Sequence, residues 1–435
     1  MQKVQIYDAI MGSGKTNDAI DRMKGYLKNG IKFIYITPFL DEIARVTNEL
    51  SSDEVFSPLG REDNNGKSIY EVSEELIYKN GNFKGEKSYK KLNKRAQFLK
   101  MASQGKNIIS THSLFMSLKR EDFNLFSDYI LILDEVVNPL DVEYIGAKDI
   151  EILKNQNLII IDENTNAVRF IDEEYRDSAF RKIKEMCYNS SVFHLDKYFF
   201  VWVFPIEIFK EFKEVQVLTY FFEGSLLAAY FKMNNIQYDL NKKSSKQQLL
   251  NLKQLLNIYT GDANQTRSRG LVTGEYCKSK LEDTTDTKLK SIKNSTEYIF
   301  KKVFKTKSNE NAFTTFKSIR KKLSGDGYAR GFIPINARAT NDFKHKESMA
   351  YLGNRYFDPQ TKHFFEMRGI ELNQDLWALS ELIQWVWRGC IRDSKKMNLY
   401  IPSYRMRGLI TDWLDGKFLS NVTAKTSTSK LKKSA

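Results

Sequence analysis

Residues 4–30, VQIYDAIMGSGKTNDAIDRMKGYLKNG, constrain this chain more than any other stretch. A β-prone run (4–10) meets a Gly-rich turn (11–16) with no spacer, and helical apolar spacing at Ala19, Ile20, Met23 and Leu27 follows. Strand, glycine loop and helix together aim successive backbone N–H groups and a helix N-terminus at one anion. Gly12, Ser13, Gly14, Lys15 and Thr16 are therefore the expected phosphate-binding residues. The glycines let the backbone curl, Lys15 reaches β/γ-phosphates, and the Thr16 hydroxyl holds Mg²⁺. Ala9 stands where the usual G-x-x-x-x-G-K-[ST] string has its first glycine. A chance Gly-rich turn is the competing reading.

A phosphate loop needs an acidic partner on a neighbouring strand. DYILILDEVV (128–137) supplies one. The apolar run Ile130 to Leu133 reads as a buried parallel strand. Asp134 and Glu135 sit at its C-terminal edge, where ligands collect in open α/β sheets. Asp134 would hold Mg²⁺ and Glu135 would orient the attacking water. A solvated strand end explains such a pair equally when it stands alone. KFIYITPFLDEIARV (32–46) and KNIISTHSLF (106–115) read as strands ending in Thr37 and Thr111, small hydroxyls suited to phosphodiester oxygens. His112 reads as a packed strand-end histidine rather than a catalytic one. VQVLTYFFEGS (215–225) is a further strand.

Near the end stands SELIQWVWRGCIRD (380–393), with Gln384, Arg388 and Arg392 at four-residue spacing. On a continuous helix these share a face, opposite Leu376, Leu379, Leu382, Ile383 and Val386. Guanidinium groups beside an apolar face need an anion. A γ-phosphate reached by arginine fingers in cis would serve, and so would surface carboxylates.

The strings occur in an order that resembles superfamily 2 helicases, the DEAD/DEAH-type translocases. AIMGSGKT is similar to motif I, ITPFLDEIARV to motif Ia, ISTHSLF to motif Ib and LILDEVV to motif II. VLTYFFEGS stands where motif III belongs, INARATNDF (335–343) looks like motif V and QWVWRGCIR like motif VI. The resemblance covers most of residues 4–403. Its C-terminal strings look most like compact helicase-like proteins of phages and mobile elements. It implies an α/β fold of two tandem RecA-like domains, each a mainly parallel sheet flanked by helices. It implies a Mg²⁺- and ATP-dependent translocase or helicase acting on DNA, or RNA, in replication, recombination or repair. A loading or replication protein is the implied partner. By position, Lys15, Thr16, Asp134 and Glu135 bind and hydrolyse ATP, and Gln384, Arg388 and Arg392 sense the γ-phosphate. Thr37, Thr111, Arg338, Thr340 and Asn341 touch the nucleic-acid backbone or couple it to the ATP site. This sequence departs from the pattern at Val136-Val137, which follow motif II, and at Arg392, which stands at +8 rather than +7 from Gln384.

Charge supports a polyanionic partner: Lys and Arg number 68 against 54 Asp and Glu, a net +14. Residues 84–106 hold eight basic side chains against Glu86, and residues 288–322 hold eleven against Glu297 and Glu310. Both windows read as backbone-tracking surfaces, with Tyr89 and Phe98 as stacking aromatics, or as solvated helix faces. Three scattered cysteines and four histidines point away from a metal centre and toward a reduced compartment. With no membrane-length apolar run, the expected location is cytoplasmic, the host-cell cytoplasm if phage-encoded. At 435 residues, domains are expected at 1–225 and 226–420, with a disordered basic tail at 421–435. Within the second, 255–261, 330–336 and 397–403 read as strands and 404–414 as a helix. Two other classes compete: a terminase-type DNA-packaging ATPase, and a nucleic-acid-binding protein with a vestigial ATPase. The first lacks a visible cluster of nuclease carboxylates. Intact Lys15, Thr16, Asp134 and Glu135 oppose the second.

Overall fold

A computed structural model of the chain describes residues 3–51, 53–58, 70–79, 82–91, 93–264, 275–336 and 342–419. The expected contacts Arg338, Thr340 and Asn341 and the basic tail lie outside the described residues. The strands of the first half are β1 (Lys3–Asp8), β2 (Lys32–Thr37), β3 (Val55–Phe56), the hairpin β4 (Tyr70–Lys79) and β5 (Asn82–Lys91), β6 (Asn107–Thr111) and β7 (Tyr129–Asp134). Then come β8 (Leu140–Tyr144), β9 (Ile159–Ile161), β10 (Ala167–Phe170), β11 (Ser191–Leu195), β12 (Phe199–Val203), β13 (Glu214–Thr219) and β14 (Asp239–Lys242).

The main sheet runs β14-β1-β13-β7-β2-β6-β3. Its pairs from β1 through to β3 are parallel. Ile130 to Leu133 are all buried, because both faces of a parallel sheet are covered. On one face the helix Lys15–Lys28 buries Ala19, Ile20 and Met23 in a core with Phe33, Tyr35 and Ile132. Register is fixed by one apolar row: Ile6 faces Val217, which faces Leu133, which faces Ile36. That row places Asp8, Asp134 and Thr37 together at the C-terminal edge of the sheet.

Between β7 and β13 the chain builds a second, antiparallel sheet, β8-β12-β11-β10-β9, which the sequence reading did not anticipate. The second half contributes β15 (Leu256–Ile258), β16 (Asn311–Thr314), β17 (Ser348–Tyr351) and β18 (Met397–Tyr400) in a parallel sheet of order β15-β18-β17-β16. The fold is thus two tandem RecA-like domains, each a mainly parallel sheet flanked by helices. The strand expected at 330–336 is instead a 3₁₀ turn, Ala329–Gly331, followed by a single bridge from Phe332 to Phe313.

The described residues group into two compact units. One comprises residues 1–9, 13–241 and 358–372; the other comprises 10–12, 242–357 and 373 onward. Residues 226–241, expected to open the second domain, fall in the first unit. The reason is apolar: helix Leu226–Met233 buries Leu227, Ala228, Ala229, Tyr230 and Phe231 in the same core as Phe209 and Phe222. Helix Pro359–Glu366 joins that core through Phe364 and Phe365.

Candidate functional site

The loop after β1 owes its shape to two left-handed glycines. Gly12 has φ +76° and Gly14 +86°, where a side chain would be strained. Gly14 is the N-cap of the helix that begins at Lys15, so the helix dipole points into the loop. The Ser13 hydroxyl is buried and has no hydrogen-bond partner among the described residues. The Lys15 ammonium donates to the Ala9 carbonyl, closing the loop on itself. Burial pulls the Lys15 ammonium below its ordinary value, against the raising effect of Glu135, Asp134 and Asp8.

Opposite stand the carboxylates of β7. Thr16 Oγ1 donates to Asp134 Oδ2 at 3.3 Å, and Tyr35 Oη donates to the same oxygen at 2.6 Å. His112 Nε2 bonds the Asp134 main-chain carbonyl at 2.9 Å, so it holds the strand end, as expected of a packed histidine. A hydroxyl and one carboxylate at this distance fit Mg²⁺, which keeps waters and takes phosphate oxygens for the rest of its shell. Among the described residues no group of three His, Cys, Asp or Glu could form an all-protein metal cage. The loop glycines, the unsatisfied Ser13 hydroxyl and this pair fit a Mg²⁺-bound polyphosphate.

Burial pushes the Asp134 carboxyl up to about 7, and the charges of Glu135 and Glu42 add to the rise; the Tyr35 bond and Lys15 oppose it. An aspartate raised in the folded state is stabilising while protonated and loses that stability as pH climbs through the folded value. In the metal-free protein, Asp134→Asn should therefore gain stability over the native chain between pH ~4 and ~7, reaching on the order of 1–3 kcal/mol at pH 8, since partial exposure trims the full linkage value. Thermal melts in chelator at several pH values check this; a difference independent of pH would show an ordinary carboxylate.

Asp8 and Tyr35, absent from the sequence reading, complete the edge. Asp8, 3% exposed, accepts from the main-chain N–H groups of Phe221 and Phe222, both at 3.0 Å. It ties the phosphate-loop strand to the turn after β13, where Phe221 sits at φ +58°. Glu135 also lies in the left-handed region, at φ +68°, and its N–H donates to the Leu218 carbonyl at 2.9 Å. A non-glycine residue held there costs about 1–3 kcal/mol, a strain that gathers at functional sites. β7 and β13 are thus linked through backbone, despite the apolar Val136-Val137 pair. A buried aspartate at the end of β1 was legible as an oddity; Tyr35 reads as an ordinary strand tyrosine.

Other expected residues are placed differently. The stripe Gln384, Arg388, Arg392 does not lie on one helix: helix Gln374–Val386 ends before Arg388. Arg388 is 8% exposed in the tightened turn that follows, and Arg392 is exposed in a 3₁₀ turn, Cys390–Asp393. Gly389 is extended, at ψ −169°, between the helix and the 3₁₀ turn, and a Cβ there would meet Met349 Sδ at 2.5 Å and Met397 Sδ at 2.7 Å. Gln384, half-buried, donates to Ser380 Oγ at 3.4 Å. Thr37 is fully buried, so its hydroxyl is not displayed to a phosphodiester. Thr111 accepts from Leu114 N–H at 3.2 Å and caps the short turn after β6. Phe98, expected as a stacking aromatic, is fully buried in the core beside Phe126. No described helix is long and apolar enough to cross a membrane.

Comparison with known proteins agrees with this architecture. Apo XPD is similar in fold, with a TM-score of 0.51 at 13% identity over 95% of each chain. Xpd4 of S. tokodaii matches with a TM-score of 0.44 at 12% identity, over 95% of this chain and 94% of that one. The profile of the YonV C-terminal Rossmann-like domain matches residues 250–414, and that of the YonV middle domain matches 140–202, the antiparallel sheet. The SPbeta prophage-derived uncharacterized protein YonV of Bacillus subtilis (strain 168) is 32% identical, over 96% of this chain and all of its own length. Similarity at that level, running end to end and taking in the inserted sheet, makes this chain a member of the YonV family.

Proposed function

We propose that the chain is a Mg²⁺- and ATP-dependent nucleic-acid translocase or helicase of superfamily 2, acting on DNA. The observation that carries this reading is the meeting of Lys15 and Thr16 with Asp134 and Glu135 at one sheet edge, Thr16 and Asp134 being 3.3 Å apart. Two parallel sheets, a basic excess of +14 and the order of the motifs favour a nucleic-acid motor over other phosphate-loop enzymes.

In this reading the loop N–H groups and Lys15 grip the β/γ-phosphates. Thr16 and Asp134 hold Mg²⁺, which neutralises phosphate charge. The Glu135 carboxylate accepts the proton of the attacking water. Gln384, Arg388 and Arg392 are the proposed γ-phosphate sensors, and Thr111, Arg338, Thr340 and Asn341 the proposed contacts to the strand. The test is steady-state ATPase activity with no polymer, then single-stranded, duplex and branched DNA, and RNA. Strong stimulation by one polymer supports a motor and names its track; activity indifferent to all of them sinks the motor reading. In the same assay Arg392→Ala should keep nucleotide affinity and lose about 10³-fold in turnover. Normal turnover would overturn the assignment of an arginine finger in cis.

A further inference from the structure

Residues 140–202 differ from the rest of the chain in charge and in surface. They hold twelve acidic and eight basic side chains, in a protein whose net charge is +14. They also carry six of the twelve exposed large hydrophobic residues among those described: Tyr144, Ile152, Ile160, Ile171, Tyr188 and Tyr198. An acidic domain repels a nucleic-acid backbone, so these apolar groups ask for a different partner.

The sheet has two edges. β8 lies beside helix Pro359–Glu366. Among the described residues, β9 has β10 on one side and no strand on the other. Ile171 N–H donates to the Leu158 carbonyl and Asp162 N–H to the Ala167 carbonyl, both at 2.9 Å. The Leu158 carbonyl and the Asp162 N–H therefore turn toward β10, while the Leu158 N–H donates to the Leu153 carbonyl. Main-chain groups alternate along a strand, so Ile160 does the same, and Ile159 and Ile161 turn theirs to the outer edge; Ile159, in the core with Leu153 and Leu158, is 4% exposed, and Ile161 is half-buried. Exposed edges are usually blunted by lysine, proline or a bulge; Ile159-Ile160-Ile161 has no lysine or proline. Ile160 is 55% exposed on it, and Ile171, just past β10, is 43% exposed. Asp162 and Glu163 stand at one end of the edge, and Asp172, Glu173 and Glu174 at the other.

We propose that β9 is a strand-addition site for an extended segment of another protein, apolar at its centre and flanked by Lys or Arg. Main-chain pairing with Ile159 and Ile161 gives affinity, Ile160 packs on the apolar centre, and the acidic ends select basic flanks. The site is separate from the nucleotide edge and does not depend on hydrolysis.

The test uses the full chain and a fluorescein-labelled peptide of alternating Val and Thr with two lysines at each end, read by anisotropy. The same peptide with glutamate flanks and a single-stranded DNA of matched length serve as comparison probes. The lysine-flanked peptide should bind at least about tenfold more tightly than the glutamate-flanked one, and weaken with salt. Ile160→Lys should weaken it about tenfold or more, and so should Ile161→Pro, which removes an N–H facing the open edge. Melting curves establish that both variants fold, and Lys15→Ala should bind the peptide normally. Equal binding of the two peptides, or peptide binding untouched by both variants, overturns the proposal. Loss of single-stranded DNA binding in Ile160→Lys would make the edge a nucleic-acid surface and overturn it also. Loss of self-association in that variant, measured by sedimentation, would assign the edge to a second copy with the same consequence.

Discussion

Lys15→Ala should reduce ATP turnover by about 10³-fold or more, to the background of a mock preparation. The ammonium sits among Asp8, Asp134 and Glu135, whose charges act on it. In the proposed mechanism it offsets phosphate charge, and alanine brings no cation in its place. Lys15→Arg should fail as well, because the planar guanidinium cannot take the place of a compact ammonium in a loop curled around Gly12 and Gly14. Fluorescent nucleotide binding together with turnover checks both variants. Turnover within about threefold of the native chain for Lys15→Ala would mean that hydrolysis occurs elsewhere or not at all.

Glu135→Gln should keep nucleotide binding and lose about 10²–10⁴-fold in turnover, because glutamine preserves shape and removes only the proposed proton acceptor. The unusual backbone of Glu135 adds a second arm. At φ +68°, Glu135→Gly should relieve strain and raise stability by about 1 kcal/mol or more while removing catalysis. A stabilised, inactive Gly variant beside a normally stable, inactive Gln variant separates the chemical role of the side chain from the strain of its position. Equal turnover in Glu135→Gln and the native chain would remove Glu135 from the mechanism.

Much of the first half was legible because its signals are local. A β-branched apolar run such as Ile130 to Leu133 reads as a strand covered on both faces, and two glycines before Lys-Thr imply a curled loop. The strands at β1, β2, β6, β7 and β13 follow the runs read from the sequence, and helix Tyr404–Leu414 coincides with its expected span. The antiparallel sheet between β7 and β13 was not legible. Its strands are short, β9 only three residues, and the pairing that closes it onto β8 joins segments far apart, Phe199 with Tyr144. β16 and β17 were missed for the same reason, being four residues each.

The sequence by itself determined which side chains the loop after β1 and the end of β7 carry, because a phosphate-binding string needs particular residue types in unbroken order. Tertiary structure decided what those residues meet. The Tyr35 hydroxyl on Asp134, the Asp8 carboxylate on the Phe221 and Phe222 amides, and the left-handed Glu135 come from parallel register between strands distant in the chain. Tertiary packing also ended the helical stripe. Four-residue spacing predicts one face only while the helix continues, and the chain, close against Met349 and Met397 at Gly389, turns before Arg392. Local spacing fixes neighbours along an element; where that element stops is set by atoms from elsewhere in the fold.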